Sequence, residues 1–316
     1  MTEGERVARR SNGRTLCADF SRKAGEEIAG TVKPTDLWVL IEYRARWERE
    51  IISLFSPAVQ ARLRALRKRI PQTRIALIRQ PERHSGPLNL FLAFSRENGS
   101  RLYRTEFTDY EELSFELNCA GTESVERLYA VCTHGTHDLC CARYGNRIYS
   151  ELRAATNHAW QISHIGGCRF AANVVCLPHG IVYGRVEPAD CAAIVATYKA
   201  GSLFPGRLRG RSCYGKPIQA AERFLKNAEK YPGLDDLKLT QTEEIQPGQW
   251  SMTFVSRDGS QYRVSLAAEG GKASTYKSCS ATELSPRGSF RLVECVRKPP
   301  ESGKAAILSE GENYGV

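Results

Sequence analysis

What most constrains the fold is a series of short apolar runs separated by helix and turn punctuation. Residues 36–43, DLWVLIEY, form one unbroken apolar run of strand length and read as a buried strand. Ser56-Pro57 then opens a helix, with Ser at the N-cap and Pro in the first turn. The pattern carries it to about Ile70, where Pro71 stops it. Residues 73–79 (TRIALIR), 88–95 (LNLFLAFS) and 101–107 (RLYRTEF) have strand character, and Asn98-Gly99 is a hairpin turn between the last two. The first unit is therefore β-α-β-β-β, an open sheet covered by at least one helix.

A second unit opens with a strand at 127–132 (RLYAVC). The loop 133–139 leads to a helix from about Cys140 to Ala155, and Trp160–Ser163 is a short strand. Residues 173–177 and 181–186 flank Pro178-His179-Gly180 as a hairpin. Pro188 starts a helix over 189–200, closed by Gly201. This order fits a small thioredoxin-like sheet, although pattern alone does not separate it from other α/β units. The Gly- and Arg-rich stretch 204–216 marks a boundary. A helix over 218–231, a hairpin of 250–255 with 261–267 across Asp258-Gly259, and a strand at 289–296 follow. Glu310–Val316 is expected to fray. The expected class is α/β, with a basic N-terminal unit over 1–120, a central domain over 121–205 and an α+β tail over 206–316. No fixed-period repeat is visible.

The chain has 316 residues and a formal net charge of +10. All of the excess lies in residues 1–104, with 21 Lys/Arg against 11 Asp/Glu, much of it on Arg62, Arg64, Arg67, Lys68 and Arg69. That stretch is either a solvated helix face or a docking surface. No nucleic-acid motif accompanies it, so an acidic protein partner is the expected reading over nucleic acid. No window is long and apolar enough for a membrane helix, and the N-terminus lacks the apolar core of an export signal. Eleven cysteines, an odd number, in a chain of this size argue for reduced thiols in the cytoplasm and against a disulfide framework. There is no CxxC pair.

The chemistry is concentrated. Four of six histidines and five of eleven cysteines fall between residues 132 and 176. The densest runs are CTHGTHDLCCARYG (132–145) and SHIGGCRFAAN (163–173). Both lie at strand ends or loops, where a rigid sheet can hold a site. Cys132, Cys141, His164 and Cys168 suit zinc or an iron–sulfur centre, and Gly166-Gly167 lets the backbone turn tightly between the last two.

Those two runs, the second continuing as VVCLPHGIVYGRV to residue 186, with Cys17-Ala-Asp-Phe-Ser21, Ala29-Gly30-Thr31, Trp38–Glu42 and Leu208–Cys213 followed by Gln219–Glu222, resemble the sucrase/ferredoxin-like family over roughly residues 15–225. The resemblance implies a thioredoxin-like domain with a [2Fe–2S] cluster held by two Cys and two His. Cys132 and Cys141 match the spacing of the cysteine pair, and Cys140 is off by one. The histidine pair of an HxGGH motif is His164 and, in this chain, Cys168. The implied cluster is three-Cys, one-His, with a potential below that of two-His relatives, because thiolate adds negative charge. Such a protein is an electron carrier serving redox partner proteins, not a catalyst, and it needs no catalytic residues.

Supporting roles are open for several neighbours. Arg169 could donate to cluster sulfide or to a partner's carboxylate, or form an ion pair. Asp138 could orient His134 or, as preferred, cap the helix. His134 and His137 could support the ligands, and Cys140 could replace Cys141. His179 reads as a turn residue, and the remaining cysteines, Cys17, Cys119 and Cys279 among them, read mostly as buried, inert thiols. A Cys3His zinc module is the alternative to the cluster. A hydrolase would need two carboxylates flanking a pocket, and none stand beside these motifs. Vicinal Cys140 and Cys141 are awkward for disulfide chemistry.

Overall fold

The computed structural model describes residues 16–115, 122–123, 127–229 and 231–300. Cys119, the expected boundary at 120–121 and the fraying tail lie outside the described residues.

Two sheets organise the chain. The first ten strands are β1 (Leu37–Glu42), β2 (Thr73–Arg79), β3 (Leu88–Phe94), β4 (Arg101–Phe107), β5 (Thr122–Glu123), β6 (Leu128–Cys132), β7 (Ala159–Ile162), β8 (Val174–Leu177), β9 (Ile181–Tyr183) and β10 (Leu208–Arg211). They form one sheet in the order β10-β9-β8-β6-β7-β2-β1-β3-β4-β5. The residues of β1, β6, β7 and β8 are buried throughout, which is why they read as apolar runs rather than alternating ones.

The sheet contains the same arrangement twice. In the first half β1 pairs parallel with β2 and antiparallel with β3, which pairs with β4. In the second half β6 pairs parallel with β7 and antiparallel with β8, which pairs with β9. Helix α2 (Pro57–Arg69) makes the first parallel crossover, and α3 (Leu139–Ala155) makes the second. Strands β2 and β7 join the halves antiparallel through Ile78↔Ile162 and Arg79↔Gln161, which relates the halves by a pseudo-twofold axis. No sequence repeat announces this. At the end of β1, where the second half has Cys132, stands buried Glu42, satisfied by Asn89 and Arg44.

Helices cover one face of the sheet. Leu37, Val39 and Ile41 pack under α2, while Tyr129 and Val131 pack under α3 and α4 (Cys191–Lys199). Trp38, Leu40, Ala130, Cys132, Trp160 and Ile162 point to the other face, where helix α1 (Cys17–Lys23) lies. Neither α1 nor the pairing of the two halves was among the expectations from sequence.

The Gly- and Arg-rich stretch, expected only as a boundary at 205–206, contains β10, which extends the large sheet beyond β9. Its charges are absorbed inside. Arg211 pairs with Glu222 at 3.1 Å, both about 1% exposed, on helix α5 (Lys216–Glu229). Beyond it, β11 (Leu237–Gln246), β12 (Gln249–Ser256), β13 (Gln261–Tyr276) and β14 (Leu284–Lys298) form an antiparallel meander packed on α5. Its polar first strand, LKLTQTEEIQ, carried no strand signal, because most of it faces solvent. No helix among the described residues is long and apolar enough to cross a membrane.

Candidate metal centre

The site is built where β6 ends. Asp138 caps α3 by accepting the Cys140 N–H at 2.9 Å, so the first helical turn carries Cys140 and Cys141. Consecutive helical residues point about 100° apart, so the two thiols cannot serve one centre in the same way. The structure turns Cys141 toward Cys132 and His164, and the donor atoms of these three lie within 4.8 Å of one another. Cys140 turns away, toward Cys17 and Cys279. Gly145 allows the close seating of α3: a Cβ there would lie 2.0 Å from the Cys132 carbonyl oxygen.

His164 follows β7 and is fixed from two sides. Its N–H donates to His134 Nδ1 at 3.1 Å, and its ring stacks on His137 at 3.8 Å between centroids. Because His134 Nδ1 accepts, its Nε2 carries the proton and donates to the Glu48 carbonyl at 2.9 Å. His134 is thus neutral and buried, and burial lowers its pKa. It supports His164 without facing the thiols. The thiol of Cys141 donates to Cys132 and holds it well below the usual range, while Cys141 itself is pushed up. Two buried thiols and an imidazole whose donor atoms meet within 4.8 Å form a group that a metal can hold once it displaces the thiol protons.

Cys168 lies outside that 4.8 Å group. It begins a short 3-10 turn over 168–170, is buried, and donates from Sγ to the Lys277 carbonyl at 3.4 Å. Gly166 and Gly167 precede it with φ of +92° and +74°. Arg169 points away from the thiols and pairs with buried Glu26 at 2.6 Å, the ion-pair reading of this residue. Asp138 does not reach His134; it is the helix cap, and its second oxygen accepts the Cys279 N–H at 2.8 Å. His179 sits in the β8–β9 turn with Nδ1 2.7 Å from the Tyr198 hydroxyl.

Sequence reasoning missed Arg209. It is 3% exposed and spans the Gly166-Gly167 turn. Its guanidinium donates to the Gly166 carbonyl, Asn173 Oδ1, the Thr31 carbonyl and Thr31 Oγ1 at 2.9–3.1 Å and lies 5.0 Å over the Phe170 ring. Among the described residues, no carboxylate lies within ion-pair distance of it. Burial lowers its pKa to about 9, and Cys168 and Cys132 act in the opposite sense. A buried cation without a carboxylate is costly unless other negative charge lies near, and here the guanidinium is met by four hydrogen-bond acceptors. The only hint in the sequence was its place in the motif Leu208–Cys213.

On the solvent side, His134, His137 and His164 line a cleft of about 390 Å³. Lys33, Arg49, Arg67 and Arg74 line it too, against one carboxylate, Glu50. On the same basic stretch, Arg62 is taken up by Glu111 at 3.3 Å and Arg69 by the Phe115 carbonyl.

A family described as sucrase/ferredoxin-like matches residues 28–210, more than half of the chain and all four expected ligand positions. This chain belongs to that family. In this chain the matched residues run through both halves of the large sheet and into the first residues of β10. A curated relative, Altered inheritance of mitochondria protein 32 of Meyerozyma guilliermondii, is 33% identical over 97 residues. The match covers 27% of this chain and 34% of that protein, so the chain spans about a third of the relative's length.

Proposed function

We propose that the protein is an electron carrier, a thioredoxin-like ferredoxin whose [2Fe–2S] cluster is held by Cys132, Cys141, His164 and Cys168. When bound, the cluster supplies one-electron transfer near the protein surface. The donor set suits it: three thiols and one imidazole, all but His164 fully buried. The β-α-β-β-β order of the second half, with its third and fourth strands on the far side of β6 from β7, is the arrangement expected of a thioredoxin-like sheet.

The observation that carries the reading is Arg209. Cys132 and Cys168, once deprotonated by a cluster, would offset the charge of this buried guanidinium, which has no carboxylate partner among the described residues. Arg209 also clamps the turn that delivers Cys168, so one side chain offsets charge and fixes a ligand. The arrangement favours a two-metal cluster over a single zinc. Zinc needs four donors in one tetrahedral shell, whereas two irons divide the ligands in pairs, and Cys168 stands apart from the other three.

The basic cleft beside His164 would receive an acidic face of a redox partner, placing it next to the one ligand that reaches toward solvent. Absorption spectra of anaerobically purified protein, with iron and acid-labile sulfide assays, test the reading. Visible bands lost in Cys132→Ser and Cys141→Ser are expected. A colourless protein after cluster reconstitution would overturn it.

A further inference from the structure

Three thiols that the site above does not use meet on the same side of the sheet. Cys17 comes from α1, Cys140 from the first turn of α3 and Cys279 from the loop between β13 and β14. Their sulfurs are 3.5 Å (17–140), 3.2 Å (140–279) and 3.6 Å (279–17) apart. The Asp138 carboxylate closes the group, with Cys17 Sγ 3.9 Å from its Oδ1. All four donors lie within 4.8 Å of one another.

We propose that Cys17, Cys140, Cys279 and Asp138 form a structural zinc site. A tetrahedral zinc with Zn–S bonds of about 2.3 Å separates its sulfurs by about 3.8 Å, so the three thiols stand slightly inside the edges of such a shell. Cys17 and Cys140 are fully buried, as structural rather than catalytic zinc ligands are. Asp138 is held for the role: its oxygens accept the Cys140 and Cys279 N–H groups at 2.9 and 2.8 Å, which leaves further lone pairs for a metal. Three thiols contracting on one point cannot all be satisfied by one disulfide, which would leave the third unpaired.

The site would fasten the C-terminal sheet to the core. Cys279 lies 262 residues from Cys17, and the same loop offers the Lys277 carbonyl to Cys168. Zinc would therefore hold the loop that covers Cys168. This site does not rest on the iron–sulfur reading.

The test is zinc and iron analysis of the full chain, expressed with zinc supplied and purified without oxygen or chelator. The variants are Cys279→Ser, Cys17→Ser, Cys132→Ser and Cys168→Ser. Wild type should hold about one zinc per chain, and its zinc absorption edge should report three sulfurs near 2.3 Å and one oxygen near 2.0 Å. Cys279→Ser, on a half-exposed loop, and Cys17→Ser should lose the zinc, while Cys132→Ser and Cys168→Ser should keep it. The wild-type edge spectrum decides even where a variant fails to fold. Overturning results are a zinc-free wild type whose Cys17, Cys140 and Cys279 react with alkylating agent, a Cys140–Cys279 disulfide in peptide mapping, or zinc lost with Cys132 or Cys168 and kept without Cys279. If iron is absent but this zinc pattern holds, the electron-carrier reading fails and the zinc site stands.

Discussion

Replacing Gly167 by Ala should cost more stability than replacing Gly166, although the two are neighbours and both have positive φ. The left-handed backbone alone costs an L-residue about 1–2 kcal/mol, and both variants bear that. At Gly166 an added Cβ meets nothing within 4 Å. At Gly167 it would sit 2.5 Å from Arg209 Nη2 and 2.9 Å from Cζ. That guanidinium cannot swing aside freely, because its bonds to Gly166, Asn173 and Thr31 are buried. Giving up even one leaves a buried partner unsatisfied, about 1–3 kcal/mol each. Gly167→Ala should therefore destabilise by about 2–5 kcal/mol and Gly166→Ala by about 1–2 kcal/mol. Urea titration of both, with iron loading measured in parallel, checks this. Gly167→Ala should also lose cluster, since the displaced turn carries Cys168. Equal destabilisation by the two variants would refute the idea that Arg209 is a fixed clamp.

Arg209→Met should lower the midpoint potential, because the reduced site carries one more negative charge and the variant removes the buried cation beside it; an unchanged potential in spectroelectrochemical titration would count against that pairing. Cys168→His should raise the potential and keep the cluster, as a neutral imidazole replaces a thiolate, and the same titration reads it. His134→Phe strips the acceptor from the His164 N–H and should speed cluster loss to a chelator, with a stability cost of about 1–3 kcal/mol in urea titration. His179, buried beside Tyr198, has its pKa lowered from 6.5 to about 4, chiefly by burial and then by Arg127 and Arg211. The unfolded chain binds this proton more readily, so the contribution is complete above the unfolded pKa and is lost as pH falls through the window toward the folded value. Between about pH 7.5 and pH 5 this removes up to about 2 kcal/mol, a slope that His179→Gln should flatten in urea titrations at the two pH values.

The strands of both halves and the capped helices α2 and α3 were legible because each is set by local pattern: an apolar run, a Ser-Pro start, an Asn-Gly turn. Their assembly into one sheet was not, because β2 and β7 meet over only two residue pairs that local pattern does not encode. Strand β10 was hidden by Gly-Arg alternation, whose arginines find partners distant in sequence, Glu222 for the charge of Arg211 and the Thr31 oxygens for the N–H groups of Arg209. Cys132, Cys141 and His164 could be found because motif and spacing place them within 33 residues. Cys17 and Cys279 could not, since each is isolated in sequence and only the packing of α1 and the β13–β14 loop against α3 brings them to Cys140. The choice between Cys140 and Cys141, open in the sequence, is set apart in the fold: the helix turns Cys141 toward Cys132 and His164 and Cys140 toward Cys17 and Cys279.

The central claim is best tested by purifying the full chain without oxygen and measuring its visible spectrum, iron and acid-labile sulfide on one sample. The account predicts about two irons and two sulfides per chain, with visible absorption that disappears in Cys132→Ser. Protein that remains colourless and free of iron after reconstitution with iron and sulfide, while folded by urea titration, would contradict it.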